Sequence, residues 1–247
     1  MVTAAPQDQW RLLDVQAHDT RLAQIAHRRR TLPQHAAVEA LADHLVELDV
    51  AAVTARTKAG DVARELGKAE ADVEQVRQRA GRNQARLDAG EGTAKDMQAL
   101  QSELANLAQR QSVLEDVEIE VMERLEAAEA RVGEVAQEQE DLKARLAALT
   151  AERDALLAGL DAEADTERWA RADAVAGVPA ELLALYEKIR DAHGGVGAAR
   201  VHQRRCEGCR LELTPQDISH FRAAAEDAVL RCEECSRILV RTPDSGL

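Results

Sequence analysis

All four cysteines of this 247-residue chain come after residue 205. Cys206 and Cys209 form one C-x-x-C pair, and Cys232 and Cys235 form another. Two residues between cysteines let both thiolates of a tight turn face one ion. Two such turns supply four sulfurs, the donor set of a tetrahedral structural zinc site. The alternatives are two disulfides, a redox pair or unrelated thiols. A thioredoxin-like pair needs a βαβ setting, and none is apparent here. The spacing therefore predicts one structural Zn2+ held by Cys206, Cys209, Cys232 and Cys235. Four thiolates leave no open coordination position, so the ion is expected to hold the fold together and not to catalyse.

Basic side chains surround these pairs. Arg200, Arg204, Arg205, Arg210, Arg237 and Arg241 are candidate contacts for RNA, DNA or a partner, because a guanidinium matches phosphate geometry. The opposing reading is that they neutralise the thiolates and nearby glutamates. From Gly194 to Leu247 the chain carries eight acidic and eight basic residues, so bulk charge draws no nucleic acid here. A second basic cluster, His27 to Arg30, reads as a solvated helix end. A third candidate is the acidic stretch "LDAGEGTAKD", which contains Asp88, Gly90, Glu91, Gly92 and Asp96. Acid-tipped helical hairpins can enter a polymerase channel, which offers an alternative function.

The elements that position these groups are helical. Stepping by four and three from Leu41 to Leu87 gives fourteen positions, of which only Asn83 is polar. Stepping by seven from Leu100 to Leu156 gives nine positions, all apolar. Both are coiled-coil seams. Between them Gly90 and Gly92 break the helix, and Thr93 with Asp96 resembles a capping box. The prediction is a long antiparallel coiled-coil hairpin over 1–178, with a kink near Pro33 and a tip near 88–93. Continuing the pairing places Trp10 near Trp169. From 179 to 247 a short helix beginning at Pro179 leads through a flexible glycine run into a small β zinc ribbon. Within that ribbon Thr214 and Pro215 start one inserted helix.

Composition agrees with this mostly α class. Aromatic residues make up 2% of the chain, too few for an ordinary globular core. The stretch Glu91–Asp165 has 19 acidic and 7 basic residues, a balance of −12, which suits a protein partner better than nucleic acid. No apolar run reaches the ~18 residues of a membrane span, and the N-terminus lacks a signal-like apolar core, so a cytoplasmic protein is expected. No phosphate loop, nucleophile elbow or clustered acid and base is present, so neither enzyme activity nor a small-molecule substrate is expected.

The stretches "GGVGAARV", "CEGCRLELTPQDI" and "VLRCEECSRILV", with the tip "GTAKDMQALQSEL" (Gly92–Leu104), resemble a bacterial family of helical-hairpin proteins ending in a C4-type zinc ribbon. The resemblance implies the same four metal ligands, a glycine-rich lead-in at Gly194, Gly195 and Gly197, and an R-I-L ending at Arg237, Ile238 and Leu239. It also implies an adaptor-like or nucleic-acid-binding role tied to transcription or mRNA control. Two departures stand out. Glu233 and Ser236 occupy positions where that family often has proline and glycine, and Val240 stands where an aromatic is common.

Overall fold

The computed structural model describes residues 2–247. Four helices come first: α1 (Pro6–Arg30), α2 (Pro33–Asp88), α3 (Ala94–Ala176) and α4 (Ala180–Ala192). The ribbon follows as β1 (Ala198–His202), β2 (Arg205–Cys206), α5 (Pro215–Ala223), β3 (Leu230–Arg231) and β4 (Ile238–Val240). Two compact units result: Ala36–Thr150, and Met1–His35 together with Ala151–Leu247. Among the described residues no helix is long and apolar enough to cross a membrane.

The first unit is the hairpin of α2 and α3. Each of the fourteen seam positions on α2 is buried or half-buried. Leu100, Leu107, Val121, Ala128, Val135 and Leu142 of α3 are buried against them. Flanking polar pairs fix the antiparallel register: Arg124 to Glu65 at 2.7 Å and Arg77 to Glu115 at 2.6 Å. At the turn Gly90 (φ +70°) and Gly92 (φ +120°) take backbone angles that side chains disfavour. The Thr93 N–H donates to Asp96 Oδ2 at 2.8 Å, and the Asp96 N–H donates to Thr93 Oγ1 at 3.3 Å. This reciprocal pair satisfies two free donors at the start of α3.

The seven-residue seam on α3 fails at its last position. Leu156 is 41% exposed, whereas Leu160 and Ala164 are buried. A straight helix drifts against a strict heptad, and the apolar stripe has moved by one position, to the half-buried Leu157.

In the second unit α1 lies along the end of α3 and against α4. Pro33 opens α2, where its missing N–H costs nothing, and the chain breaks at Thr31–Leu32. The Trp10–Trp169 expectation is corrected here. Arg11 donates to the Gly177 carbonyl, and Asp19 accepts from Arg171 at 2.6 Å. Trp169 therefore stands level with Asp19 and points outward, 79% exposed. Trp10 instead donates its indole N–H to the Arg241 carbonyl at 2.7 Å. The offset is already present within the hairpin, where Glu65 faces Arg124 and Asp49 faces Gln139, so a register extrapolated symmetrically from the tip is several residues out before Pro33 is reached.

The ribbon sheet has the order β2-β1-β4-β3. β1 and β2 are antiparallel, β1 and β4 parallel, and β3 and β4 antiparallel. Alternation along β4 sends Ile238 and Val240 to one face and Leu239 to the other. Ile238 and Val240 join Leu12 and Val15 of α1 with Leu182, Tyr186 and Ile189 of α4. Leu239 joins Val201, Leu213, Phe221 and Leu230 over the cysteines. Val240 is thus a fully buried core residue. Thr214 caps α5 in a complete capping box with Asp217. The N-terminal segment adds a bridge from Thr3 to Ala228, and the Ala4 N–H donates to the Asp227 carbonyl at 2.8 Å.

The glycine run is held in place, contrary to the flexible lead-in expected. Gln16 Oε1 accepts the Gly197 N–H at 2.7 Å, and Gln16 Nε2 donates to the Gly195 carbonyl at 3.0 Å. A Cβ on Gly197 would meet the Tyr186 carbonyl at 2.6 Å. Close approach, not mobility, requires glycine there.

Candidate metal centre and its surface

Each cysteine pair sits at the mouth of a two-strand hairpin. The first turn closes with the Arg210 N–H donating to the Cys206 carbonyl at 2.7 Å, the second with the Ser236 N–H donating to the Cys232 carbonyl at 2.8 Å. Arg210 (φ +65°) and Ser236 (φ +58°) are both left-handed. That geometry favours glycine at position 236, and serine bears it here at some cost in strain. In the first turn a Cβ on Gly208 would meet Arg237 Cδ at 2.8 Å and Ala199 Cβ at 3.1 Å, so this knuckle is closely packed.

The four sulfurs converge across the two turns. Cys206 Sγ lies 3.8 Å from Cys235 Sγ, and Cys209 Sγ lies 3.9 Å from Cys232 Sγ. All four lie within 4.8 Å of one another. A sulfur tetrahedron around zinc, with bonds of ~2.3 Å, has edges of about 3.8 Å. A disulfide needs about 2.05 Å, so the disulfide alternative does not fit this arrangement. Cys206 and Cys232 are buried and the other two half-buried.

Burial raises the Cys206 thiol well above its ordinary value, against hydrogen bonds from the Cys209 and Gly208 backbone. Burial likewise pushes Cys232 up to about 11, against the Cys235 and Glu234 backbone. Burial would also raise Cys235, but the Arg237 N–H, the Arg237 side chain and two neighbouring thiols hold it below the ordinary range. Loading zinc must therefore displace protons, and the ion supplies the charge that makes a buried thiolate cluster tolerable. One structural Zn2+ held by these four cysteines fits the donor set, the spacing and the burial.

The predicted arginines separate into two groups. Arg237 donates to the carbonyls of Val196 and His193, each at 3.1 Å. Arg241 donates to Ala224 at 3.2 Å, Ala225 at 2.6 Å and Glu226 at 2.8 Å, closing the loop after α5. Both hold the fold together, and their donors face inward. Arg200, Arg204, Arg205 and Arg210 are exposed around the first knuckle. Arg200 pairs with Glu207 at 2.6 Å and Arg205 with Glu212 at 3.3 Å. Exposed pairs like these contribute little and exchange readily. At the tip, Asp96 is engaged by its cap, and its hydrogen bonds with Thr93 hold its carboxyl below the ordinary range. Asp88 accepts from Gln84 at 2.8 Å. In the His27–Arg30 cluster, Arg28 and Arg29 pair with Glu163 and Asp161 of α3.

Phe221, the one aromatic residue between Gly194 and Leu247, is 3% exposed and closed to a ligand. Trp10 takes that place. The residue is 45% exposed and lines a cleft of about 580 Å³ with Pro6, Phe221, Arg222, Pro243 and Gly246. Arg204 Nε donates to the Gly246 carbonyl at 3.0 Å, which joins the arginine surface to the cleft. No local pattern announced this, because Trp10 and its partner Arg241 are 231 residues apart.

Comparison with known proteins agrees with this architecture. The family model of the CT398-like coiled-coil hairpin domain matches residues 15–194, and that of a C4-type zinc ribbon matches residues 205–239. The chain belongs to the CT398-like coiled-coil hairpin family. Both matches describe architecture, and neither indicates a catalytic family. An uncharacterized protein of Mycobacterium tuberculosis is 37% identical over 231 residues, covering 93% of this chain and 94% of its own length. Another, from Mycobacterium leprae, is 28% identical over 224 residues, covering 89% and 94%. A solved structure from Mycobacterium smegmatis has a TM-score of 0.84 at 34% identity, covering 98% of this chain and 100% of that one. CT398 from Chlamydia trachomatis gives a TM-score of 0.67 at 16% identity, covering 96% and 98%, a likeness of fold alone.

Proposed function

We propose that this chain is a non-enzymatic binding protein whose zinc ribbon engages nucleic acid with unpaired bases. The observation that carries the reading is Trp10, a half-exposed indole held by its N–H at a cleft that Arg204 borders. A held ring offers a stacking platform at little entropic cost, and stacking of unpaired bases needs no sequence readout. Arg200 and Arg205 supply phosphate contacts by exchanging their carboxylate partners Glu207 and Glu212 for the backbone, and Arg204 and Arg210 add two further guanidinium groups. RNA and DNA fit equally. The acidic-tip alternative draws less support, because Asp96 already serves as a cap, which leaves Glu91 as the tip's unengaged carboxylate among the described residues.

The test is anisotropy with a labelled single-stranded RNA 12-mer and the matching duplex. Single-strand affinity should fall steeply with salt. It should drop about tenfold in Trp10→Ala, stacking being worth ~1–3 kcal/mol per base, and recover in Trp10→Phe. Arg204→Ala with Arg205→Ala should weaken both ligands. Binding that ignores all of these changes would reject the reading.

A further inference from the structure

The acidic second arm carries apolar surface that the hairpin leaves uncovered. Between Glu115 and Glu129, α3 has seven acidic residues and one basic residue. In the same stretch Val117, Ile119 and Met122 are 43%, 55% and 51% exposed. Neither heptad seam accounts for these three, since the seam here runs through Leu114, Val121 and Ala128.

Ile119 and Met122 line a groove of about 340 Å³ with the half-buried Leu66 and Leu125. Its remaining lining residues are Glu123, Glu126 and Glu129. No basic residue lines it. Among the described residues, these three glutamates form no ion pair with any cation of the chain, although Arg124 and Arg131 lie close in sequence. Arg124 is held instead by Glu65 at 2.7 Å, and Arg131 by Glu134 at 2.9 Å. Apolar side chains and uncompensated carboxylates therefore share one face, at positions i, i+3, i+7 and i+10 from Ile119. Three turns of helix make that face about 15 Å long.

We propose that this groove docks a basic amphipathic helix of a protein partner. A helix of that kind presents apolar anchors at i, i+3, i+4 and i+7, which Ile119, Met122, Leu66 and Leu125 receive. Its flanking lysines and arginines meet Glu123, Glu126 and Glu129, and charge complementarity sets orientation and speeds association. Met122 suits such a surface because a flexible thioether adapts to different anchors. A second copy of this chain fits poorly, since the same face would meet its own negative charge. This surface lies in the hairpin unit and owes nothing to the ribbon's reading as a nucleic-acid binder, so either proposal can fail without the other.

The experiment uses the full chain and three labelled 18-residue peptides in anisotropy titrations. One has leucines at helical i, i+3, i+4, i+7 spacing among lysines. The second has the same composition permuted to scatter the leucines. The third keeps the leucine spacing with glutamate in place of lysine. The first peptide should bind at least tenfold more tightly than the other two. Ile119→Ser with Met122→Ser should weaken it at least tenfold. Glu123→Gln with Glu126→Gln and Glu129→Gln should weaken it and flatten its salt dependence. These positions are on the surface, and Val113→Ser, elsewhere on α3, should leave affinity unchanged. The proposal is overturned by equal binding of the permuted peptide, by no binding of the first peptide, or by indifference to the Ile119 and Met122 changes. It is equally overturned if sedimentation shows a dimer that the Ile119 and Met122 changes dissociate, since a second copy would then cover the groove.

Discussion

Cys232→Ser is expected to release zinc and unfold the ribbon while the hairpin between Ala36 and Thr150 stays helical. The metal contributes about 10–16 kcal/mol in small structural sites, more than the few side chains over the cysteines can supply. The ribbon is not an isolated appendage, however. Ile238 and Val240 share one core with Leu12, Val15, Leu182 and Tyr186. Loss of zinc should therefore loosen α1 and α4 as well. Hydrogen exchange would show protection lost across 6–30 and 180–240 and retained in the facing arms of α2 and α3. Loss of protection along the whole of both arms would contradict this division, and so would a Cys232→Ser protein that retains one tightly bound zinc.

Asp19→Ala should be the most damaging single change outside the ribbon. The Asp19 carboxylate accepts from Arg171 at 2.6 Å and from the Tyr186 hydroxyl at 2.7 Å, and pairs with Arg190 at 3.4 Å. Its side chain is 10% exposed. Removing it leaves the Tyr186 hydroxyl only Gln16 Oε1 at 3.1 Å and Arg171 only the longer contact with Glu187 at 3.4 Å, a loss of about 3 kcal/mol. Burial alone would raise the Asp19 pKa, but the hydrogen bonds from Arg171 and Tyr186 and the charges of Arg171 and Arg190 bring it below the ordinary value. Because the folded value is depressed, this contribution is fully present above the unfolded pKa of ~3.9 and is lost as pH falls through the folded value. Urea unfolding followed by tryptophan fluorescence should therefore show the wild type losing stability below about pH 4, with a shallower acid slope in Asp19→Asn. A loss under 1 kcal/mol in Asp19→Ala would mean the cluster is incidental.

The groups that proved legible in the sequence are those with local signatures. Paired C-x-x-C spacing brought four sulfurs together, since each pair is a turn and only their meeting is long-range. The α2 seam held over its whole length, because a coiled coil repeats one physical requirement every seven residues. The caps at Thr93 and Thr214 held because three residues suffice to make them. The misses share a cause. Periodicity shows which face of α1 is apolar but not which of its neighbours covers it, so the packing of Leu12 and Val15 onto β4 was invisible. Arg237 and Arg241 resembled ligand contacts because charge near a site looks alike whether its donors face solvent or carbonyls. Gln16, Asp19 and Trp10 act through partners more than 140 residues away, and no spacing rule reaches that far. Leu156 lost its place because a heptad count ignores the drift of a straight helix.

The most direct test is zinc K-edge X-ray absorption on the purified chain, with metal content measured on the same sample. One zinc per chain, surrounded by four sulfurs at about 2.3 Å, is the predicted result. A substoichiometric metal, or a shell containing nitrogen or oxygen in place of a sulfur, would contradict it.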